Sequence, residues 1–284
     1  MNICIIGLGL LGGSFSLGLK QQQEGHHFMG VDNNPVHAAK ALELGLVEEV
    51  LPLEAAIPQA DLVVLAVPVN AITGLLPAVM DNLQDHAVVV DFGSTKELIC
   101  RLADQHPRRR QFVPVHPIAG TENSGPEAAF AGLLHEKIMI ICDREKSRPE
   151  AIALVEQLFR QLHMRLSYMD AESHDLHLAY VSHLSHITSF ALGATVLEKE
   201  KDEENIFNMA GSGFSSTVRL AKSSPEMWAP IFTQNSRNIS EALDTYIQKL
   251  QEFKKFIDTQ DEAASFELMK RTNDIRRILK GLES

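Results

Sequence analysis

Residues 2–14 read NICIIGLGLLGGS, and this stretch decides the fold. Its apolar half, Asn2–Ile6, has the length and composition of a buried β-strand. The strand runs directly into glycines at Gly7, Gly9 and Gly12, and the residues that follow have helical spacing. A strand, a glycine-rich turn and a helix in this order are the opening unit of an α/β sheet.

Short β-branched or apolar runs recur along the first half of the chain. After the first run they lie at His27–Val31, Leu62–Val67, Ala87–Asp91, Phe112–Val115 and Ile138–Cys142. Helical patterns with polar faces separate most of them, which predicts a parallel sheet with helices on both faces. After about Met169 only helical spacing remains, at 171–200, 225–257 and 263–282.

Composition excludes several classes of protein. The chain has 284 residues, 45% of them hydrophobic and 22% charged, as in soluble globular proteins. No apolar run reaches the roughly 18 residues that a membrane helix needs. The net charge of −11 argues against nucleic acid as a partner. The first basic residue is Lys20 and the three cysteines occupy apolar settings, so we expect no export and a reducing cytoplasm.

The glycine pattern predicts a dinucleotide site. Gly7 permits a tight turn, Gly9 lets a pyrophosphate approach the backbone, and Gly12 lets the helix pack on the strand. Asp32 follows the second strand, where its carboxylate would accept hydrogen bonds from the ribose and repel a 2′-phosphate, so NAD is favoured over NADP. The predicted site comprises Gly7, Gly9, Leu10, Leu11, Gly12, Asp32, Val67 and Pro68. A glycine-rich turn without a ligand is the alternative.

Two further segments follow strands, at the edge of the sheet where ligands bind in such folds. Asp91–Lys96 reads DFGSTK, in which Ser94 would orient a substrate hydroxyl or cap the helix that begins near Lys96. His116 is predicted at the exit of the strand Phe112–Val115, and its near-neutral pKa suits a general base. A merely packed histidine is the alternative.

The segment 173–190 carries four histidines, at 174, 177, 183 and 186. At about 100° per residue in a regular α-helix, the first two point away from the last two. We therefore predict no metal site. Ser182 and His186 share a face and are expected to reach into one pocket. Arg219, which follows a glycine-rich turn, suits a substrate carboxylate, with a surface ion pair as the alternative.

These motifs together resemble the prephenate/arogenate dehydrogenases of tyrosine biosynthesis. The elements GLGLLGGS, DFGSTK, HPIAGTENSG, HDLHLAYVSHLSH and GSGFSSTVRLAKSSPEMW occur in the family's order over roughly residues 1–260. The resemblance implies a Rossmann-type doubly wound parallel sheet in residues 1–169. It implies an all-helical substrate and dimerisation domain in residues 170–284. The helices look too few to close a core alone, which also favours a homodimer.

The resemblance further implies a reaction and its residues. NAD+ would take a hydride from the carbon that bears the 4-hydroxyl of prephenate, and the ring carboxylate would leave as CO2. His116 matches the catalytic base, Ser94 the serine that binds the same hydroxyl, and Arg219 the arginine that binds a substrate carboxylate. Other residues of the substrate pocket are implied at Ser182, His186, Thr121, Glu122 and Trp228, the last from its own chain or from across the dimer.

Some features leave the substrate and the regulation open. Ser215 and Ser216 stand where many relatives carry a charged pair, which leaves arogenate as the alternative substrate. A β-hydroxyacid dehydrogenase would need a lysine where residues 182–189 offer histidine and serine, and an NAD-sensing protein without activity would not need His116. Since the chain ends at Ser284, we expect no regulatory domain and any tyrosine feedback at the active site itself.

Overall fold

The computed structural model describes residues 1–22, 25–200 and 206–278. Eight strands form one sheet: β1 Asn2–Ile6, β2 His27–Val31, β3 Glu49–Val50, β4 Leu62–Leu65, β5 Val88–Asp91, β6 Phe112–Ile118, β7 Ile138–Cys142 and β8 Arg165–Met169. The helices of the first half are α1 Leu10–Lys20, α2 Pro35–Glu43, α3 Leu53–Ala56, α4 Val69–Asn82, α5 Glu97–Ala103 and α6 Pro149–Gln161. The doubly wound fold predicted from the sequence is confirmed.

The sheet has the order β3-β2-β1-β4-β5-β6-β7-β8. Every neighbouring pair is parallel except β6 and β7, which run antiparallel with His116 opposite Ile140. All six predicted strands are present, but β6 is longer than expected because the antiparallel partner continues its ladder to Ile118. His116 therefore lies inside the strand and not at its exit, which corrects the sequence-based expectation.

Successive side chains along each strand point alternately into two apolar cores, one on each face of the sheet. In β1, Ile3 and Ile5 face one core while Cys4 and Ile6 face the other. The first core receives α1 and α6, where Phe15, Phe92 and Phe159 form an aromatic cluster with centroids 5.5–6.1 Å apart. The second core receives α4 and α5. All three cysteines are reduced and buried, as predicted.

The second half of the chain is helical, as the spacing predicted. Its helices are α7 Ala171–Leu178, α8 Leu184–Glu200, α9 Ser212–Val218, α10 Pro225–Gln234, α11 Ser236–Asp258 and α12 Glu262–Thr272. A π-helical segment, Ala179–His183, joins α7 to α8. The last predicted helix, 263–282, is shorter than expected, because α12 ends at Thr272 and a turn follows at 273–274. The part of the prediction beyond residue 278 lies outside the described residues.

The chain forms two compact units, Met1–Ser236 and Arg237–Ser284, and every side chain of the site described below belongs to the first. The domain boundary that the sequence predicts at 169/170 differs from this division into compact units, and it stays a prediction. Within the described residues, no helix combines the length and the apolar character that a membrane span requires.

Candidate active site

The glycine-rich turn after β1 can be built only from glycine at two positions. Gly7 has φ +97°, and a Cβ there would lie 2.5 Å from the carbonyl oxygen of Ala66. At Gly12 a Cβ would lie 2.2 Å from the carbonyl oxygen of Gly7. Gly9, by contrast, meets no atom closer than 4.0 Å, and it precedes the first residue of α1. The turn thus presents an open backbone at a helix N-terminus, a suitable place for a phosphate.

Asp32 is held against this turn. One carboxylate oxygen accepts a hydrogen bond from the backbone N–H of Leu8 at 2.9 Å, and the other accepts from the N–H of Asn34 at 2.9 Å. The carboxylate is therefore oriented before any ligand binds, and each oxygen retains a lone pair for a ribose hydroxyl. Val67 and Pro68 lie across the turn, directly after β4, where a Cβ on Gly7 would meet Val67 at 2.7 Å.

The DFGSTK loop is anchored by a buried ion pair. The ammonium of Lys96 donates to a carboxylate oxygen of Asp91, and both side chains are fully buried. The hydroxyl of Thr95 donates to Gln234 Oε1 at 2.7 Å, which ties the loop to α10. Between these anchors Ser94 remains partly exposed. Sequence reasoning did not find the Asp91–Lys96 pair, because nothing local indicates that both residues point inward.

His116 belongs to a hydrogen-bonded chain of three side chains. Its Nδ1 lies 2.8 Å from Nε2 of His174, and Nδ1 of His174 lies 2.8 Å from Oδ1 of Asp175. The same carboxylate accepts from the backbone N–H groups of Lys96 and Glu97, at 2.7 and 3.0 Å. Asp175 thus caps the start of α5 and orients His174, a role that the sequence analysis missed.

This chain determines which nitrogen of His116 is basic. A carboxylate only accepts, so His174 donates its Nδ1 proton to Asp175 and its Nε2 is left as an acceptor. His116 must then donate from Nδ1 to His174, which leaves Nε2 of His116 unprotonated. Burial holds the pKa of both histidines well below its usual range, and the nearby Lys96 ammonium acts in the same direction. His116 is therefore a neutral base at pH 7 with a defined lone pair.

The π-helical segment changes the direction of the histidines that follow it. Its i→i+5 hydrogen bonding adds one residue to the turn, so later residues are rotated back by about 100° relative to a regular α-helix. The angles calculated from the sequence for a regular α-helix therefore do not apply to His183 and His186, and His183 lies near enough to His174 to affect its pKa. Among the described residues, no group of three or more metal-binding side chains is placed to hold an ion.

His183 and His186 lie against α10. Asn235 donates its amide hydrogens to the carbonyl of Asp175 at 2.7 Å and to Nδ1 of His183 at 3.1 Å. Burial lowers the pKa of His183 to about 4, so its ring is neutral. His186 stacks on Trp228 with a centroid distance of 3.4 Å, and its Nδ1 lies 3.1 Å from the carbonyl of Ser182.

Trp228 is buried among residues of its own chain, since it also packs on Phe232 and Val69. The predicted pocket residues Ser182, His186 and Trp228 are thus brought together within one chain. Reach of Trp228 across a dimer is not needed for this arrangement.

Arg219 is placed by a serine that the sequence analysis did not single out. The hydroxyl of Ser189, one turn after His186 on α8, donates to the carbonyl of Thr217 at 2.9 Å and accepts from the N–H of Ala221 at 3.2 Å. These two bonds hold the backbone on both sides of Arg219. Burial lowers the pKa of the His186 imidazole, and the nearby guanidinium of Arg219 lowers it further. The helical spacing of the sequence does not distinguish Ser189 from other serines on helices, because its role depends on contacts with a distant segment.

The side chain of Glu122, in the loop that follows β6, forms an ion pair with Arg219. A guanidinium nitrogen lies 3.6 Å from a carboxylate oxygen of Glu122, and both side chains are substantially exposed, at 54% and 38%. The hydroxyl of Thr121, beside it, accepts a hydrogen bond from the N–H of Asn123 within the same loop, at 3.2 Å. Of the two predicted alternatives for Arg219, the surface ion pair is present in this structure, and the ligand site stays a prediction.

Comparison with known proteins identifies matches over most of the chain. Residues 15–168 match the family model described as prephenate dehydrogenase, nucleotide-binding domain, and residues 170–271 match prephenate dehydrogenase, dimerization domain. Cyclohexadienyl dehydrogenase of Zymomonas mobilis is 31% identical over 98% of this chain and 96% of its own. Prephenate dehydrogenase of Bacillus subtilis is 29% identical over 97% of this chain and 75% of its own.

A solved structure is similar over nearly its full length. Prephenate dehydrogenase from A. aeolicus, crystallised with hydroxyphenyl propionate and NAD+, superposes with a TM-score of 0.90 at 32% identity. The match covers 98% of each chain. The fold of this chain is therefore shared by a protein whose structure contains NAD+ and hydroxyphenyl propionate.

Proposed function

Because the chain belongs to the prephenate dehydrogenase family, we propose that it converts prephenate to 4-hydroxyphenylpyruvate with NAD+, releasing CO2. It is an enzyme, an NAD-dependent oxidoreductase. The observation that carries the mechanism is the hydrogen-bonded chain from Asp175 through His174 to His116, because it leaves Nε2 of His116, on β6, as a defined basic nitrogen. The substrate is proposed from the family.

The glycine-rich turn and Asp32 fit NAD+. The open backbone at Gly9 suits the pyrophosphate, and the oriented carboxylate of Asp32 suits two ribose hydroxyls. Leu10, Leu11, Val67 and Pro68 complete the proposed cofactor site. When bound there, NAD+ accepts the hydride from the substrate carbon that carries the hydroxyl.

His116 removes the proton of that hydroxyl through Nε2. As the proton arrives, the imidazole becomes positive, and the hydrogen bonds to His174 and Asp175 stabilise the new charge. Ser94 binds and orients the same hydroxyl from the edge of the neighbouring strand. Since loss of the hydride and of CO2 leaves an aromatic ring, whose phenol oxygen regains a proton, the reaction is effectively irreversible.

The remaining residues position the substrate. Arg219 binds a carboxylate of the substrate, and Ser182, His186 and Trp228 form the wall against which the ring and side chain lie. Thr121 and Glu122 line the entrance. A protein of net charge −11 needs such a local cation to attract a dianion, because its overall field opposes binding.

The first test is formation of reduced nicotinamide by the purified protein, with prephenate or arogenate crossed against NAD+ and NADP+. We expect rapid NADH formation with prephenate, and little with NADP+ because Asp32 repels a 2′-phosphate. Equal rates with NADP+ would contradict the proposed role of Asp32. No reaction in any mixture, with NAD+ still bound, would exclude the proposed function and favour an NAD-sensing protein.

We also propose that the chain acts as a cytoplasmic homodimer, with the cofactor held by residues 1–169 and the subunits joined through residues 170–284. The description of the second family model as a dimerization domain supports this assembly. So do the exposed apolar side chains near the π-helical segment, Leu176, Tyr180 and Val181, of which Val181 is 74% exposed. Light scattering should give about twice 31.4 kDa, and a monomer would contradict the proposal.

A further inference from the structure

Asp143, the residue that follows β7, is buried and lies in the left-handed region of the backbone, with φ 43° and ψ 40°. Residues with a side chain seldom adopt this conformation, although aspartate and asparagine tolerate it better than most. The other described residues with a positive φ that are not glycine, Glu136, His163 and Gln260, are exposed. An unfavourable backbone conformation inside the protein points to a contact that depends on it.

Asp143 joins the end of β8 to the start of α7. Its backbone N–H donates to the carbonyl of Met169, the last residue of β8, at 3.2 Å. Its Oδ1 accepts from the N–H of Ala171, the first residue of α7, at 2.9 Å. The first N–H groups of a helix lack a partner within the helix, so this bond caps α7 from outside. Together with Asp170, which accepts from the N–H of Ser173 at 2.7 Å, it fixes the first turn.

The second carboxylate oxygen of Asp143 connects this turn to α5. It accepts from Nζ of Lys146 at 3.0 Å, and the same ammonium donates to Oδ2 of Asp104 at 2.7 Å. Asp104 is the residue at which α5 ends, whereas the N–H groups at the start of α5 are capped by Asp175. α5 is therefore linked to α7 at both of its ends.

The catalytic chain described above begins in the turn that Asp143 fixes. His174 lies three residues after Ala171, and Asp175 lies four residues after it, so both side chains take their direction from that turn. Nε2 of His174 lies 2.8 Å from Nδ1 of His116, on a different segment of the chain. Because a hydrogen bond weakens steeply as its geometry is lost, a small shift of α7 would loosen the hold on His116.

We infer that Asp143 is a positioning residue for the catalytic chain, because its carboxylate fixes the first turn of α7 and so holds His174 against His116. The inference rests on the proposed function for the reaction that His116 performs. Asp143 is not among the residues proposed to bind substrate or cofactor, so its effect on the reaction passes through α7.

The test begins with Asp143→Gly, which removes the carboxylate and keeps a residue that adopts a positive φ without strain. We expect kcat for NADH formation from prephenate to fall by about tenfold, because small displacements of positioned groups are costly to catalysis. KM for prephenate and the affinity for NAD+ should not change. Calorimetric titration with NAD+ counts the folded sites, and kcat is expressed per site so that unfolded protein does not enter the comparison.

Two further variants separate the bond to α7 from general stability. In Asp143→Asn the amide oxygen can still accept from the N–H of Ala171, so kcat should stay within about twofold of the unmodified value. Asp61→Gly is the matched control, because Oδ2 of Asp61 also accepts from a backbone N–H, that of Asn2 at 2.7 Å. Asp61→Gly should lower the temperature of unfolding without lowering kcat per site.

A double variant and hydrogen exchange complete the test. In His116→Asn the base is absent, so adding Asp143→Gly should lower kcat by less than about twofold more. Hydrogen exchange, measured by mass spectrometry on peptides of α7, needs no turnover. These peptides should exchange faster in Asp143→Gly than in the unmodified enzyme or in Asp143→Asn.

An unchanged kcat per site in Asp143→Gly would overturn the inference, as would an equal loss in Asp61→Gly or a multiplicative loss in the double variant. If the unmodified enzyme oxidises neither prephenate nor arogenate, the proposed function fails. Hydrogen exchange then tests the inference by itself, and equal exchange of α7 in Asp143→Gly and in the unmodified protein overturns it.

Discussion

Replacing His116 by asparagine is expected to lower kcat by about 10³-fold, the middle of the range that general bases contribute. Asparagine can still donate a hydrogen bond to Nε2 of His174, but it provides no basic nitrogen towards the substrate hydroxyl. KM for prephenate and the affinity for NAD+ should change little, because neither depends on proton transfer. Steady-state kinetics and NAD+ titration measure these quantities. His177→Asn, on an exposed position of α7, is the matched control.

The pH dependence of the unmodified enzyme tests the same residue. His116 is active when neutral, and burial holds its pKa well below the usual value near 6.5. The rate should therefore stay constant as the pH falls from 8 through 6.5, and decline by about tenfold per unit only at lower pH, where the imidazole becomes protonated. The apparent pKa belongs to the coupled pair His116 and His174. A decline centred at or above 6.5 would contradict a buried neutral base.

Replacing Asp175 by asparagine is expected to lower kcat by about 10²–10³-fold although Asp175 touches no substrate. An amide can present its NH2 group to His174, which would then carry its proton on Nε2 and donate to His116. His116 would be forced into the opposite tautomer, with its proton on the nitrogen that faces the substrate. Loss of the orienting carboxylate in the Ser-His-Asp triad, a comparable arrangement, costs about 10⁴-fold in kcat. The rate of NADH formation measures the effect.

A structural explanation for Asp175→Asn must be separated from this one, because Asp175 also caps α5. Loss of a cap costs about 1 kcal/mol, which thermal unfolding would detect. The double variant His116→Asn/Asp175→Asn distinguishes the two explanations. If Asp175 acts through His116, the second substitution should reduce kcat by less than twofold more, since the two residues act as a unit. Multiplicative losses would show that Asp175 acts independently of His116.

Much of the cofactor half could be predicted because its signals are local. A strand, the glycines at 7, 9 and 12, and Asp32 at the end of the next strand are consecutive features, and the steric limits at Gly7 and Gly12 require glycine whatever lies further away. The strands that were missed lack an apolar run. β3 has only two residues, and β8 reads RLSYM with both faces partly exposed. They are strands because the sheet edge pairs with them.

The catalytic arrangement required the tertiary structure. The sequence and its resemblance to the family indicate roles for His116, Ser94 and Arg219. The hydrogen-bonding partner of His116, however, is 58 residues away in the sequence, and Asp175 contacts a loop 79 residues away. The regular helical spacing assumed from the sequence also fails between His177 and His183, because a π-helical segment has no local signature in the sequence. Composition and spacing determined the class of fold and the cofactor, since both depend on neighbouring residues. The packing of β6, α5 and α7 decided which imidazole nitrogen is basic, since that depends on hydrogen bonds between distant segments.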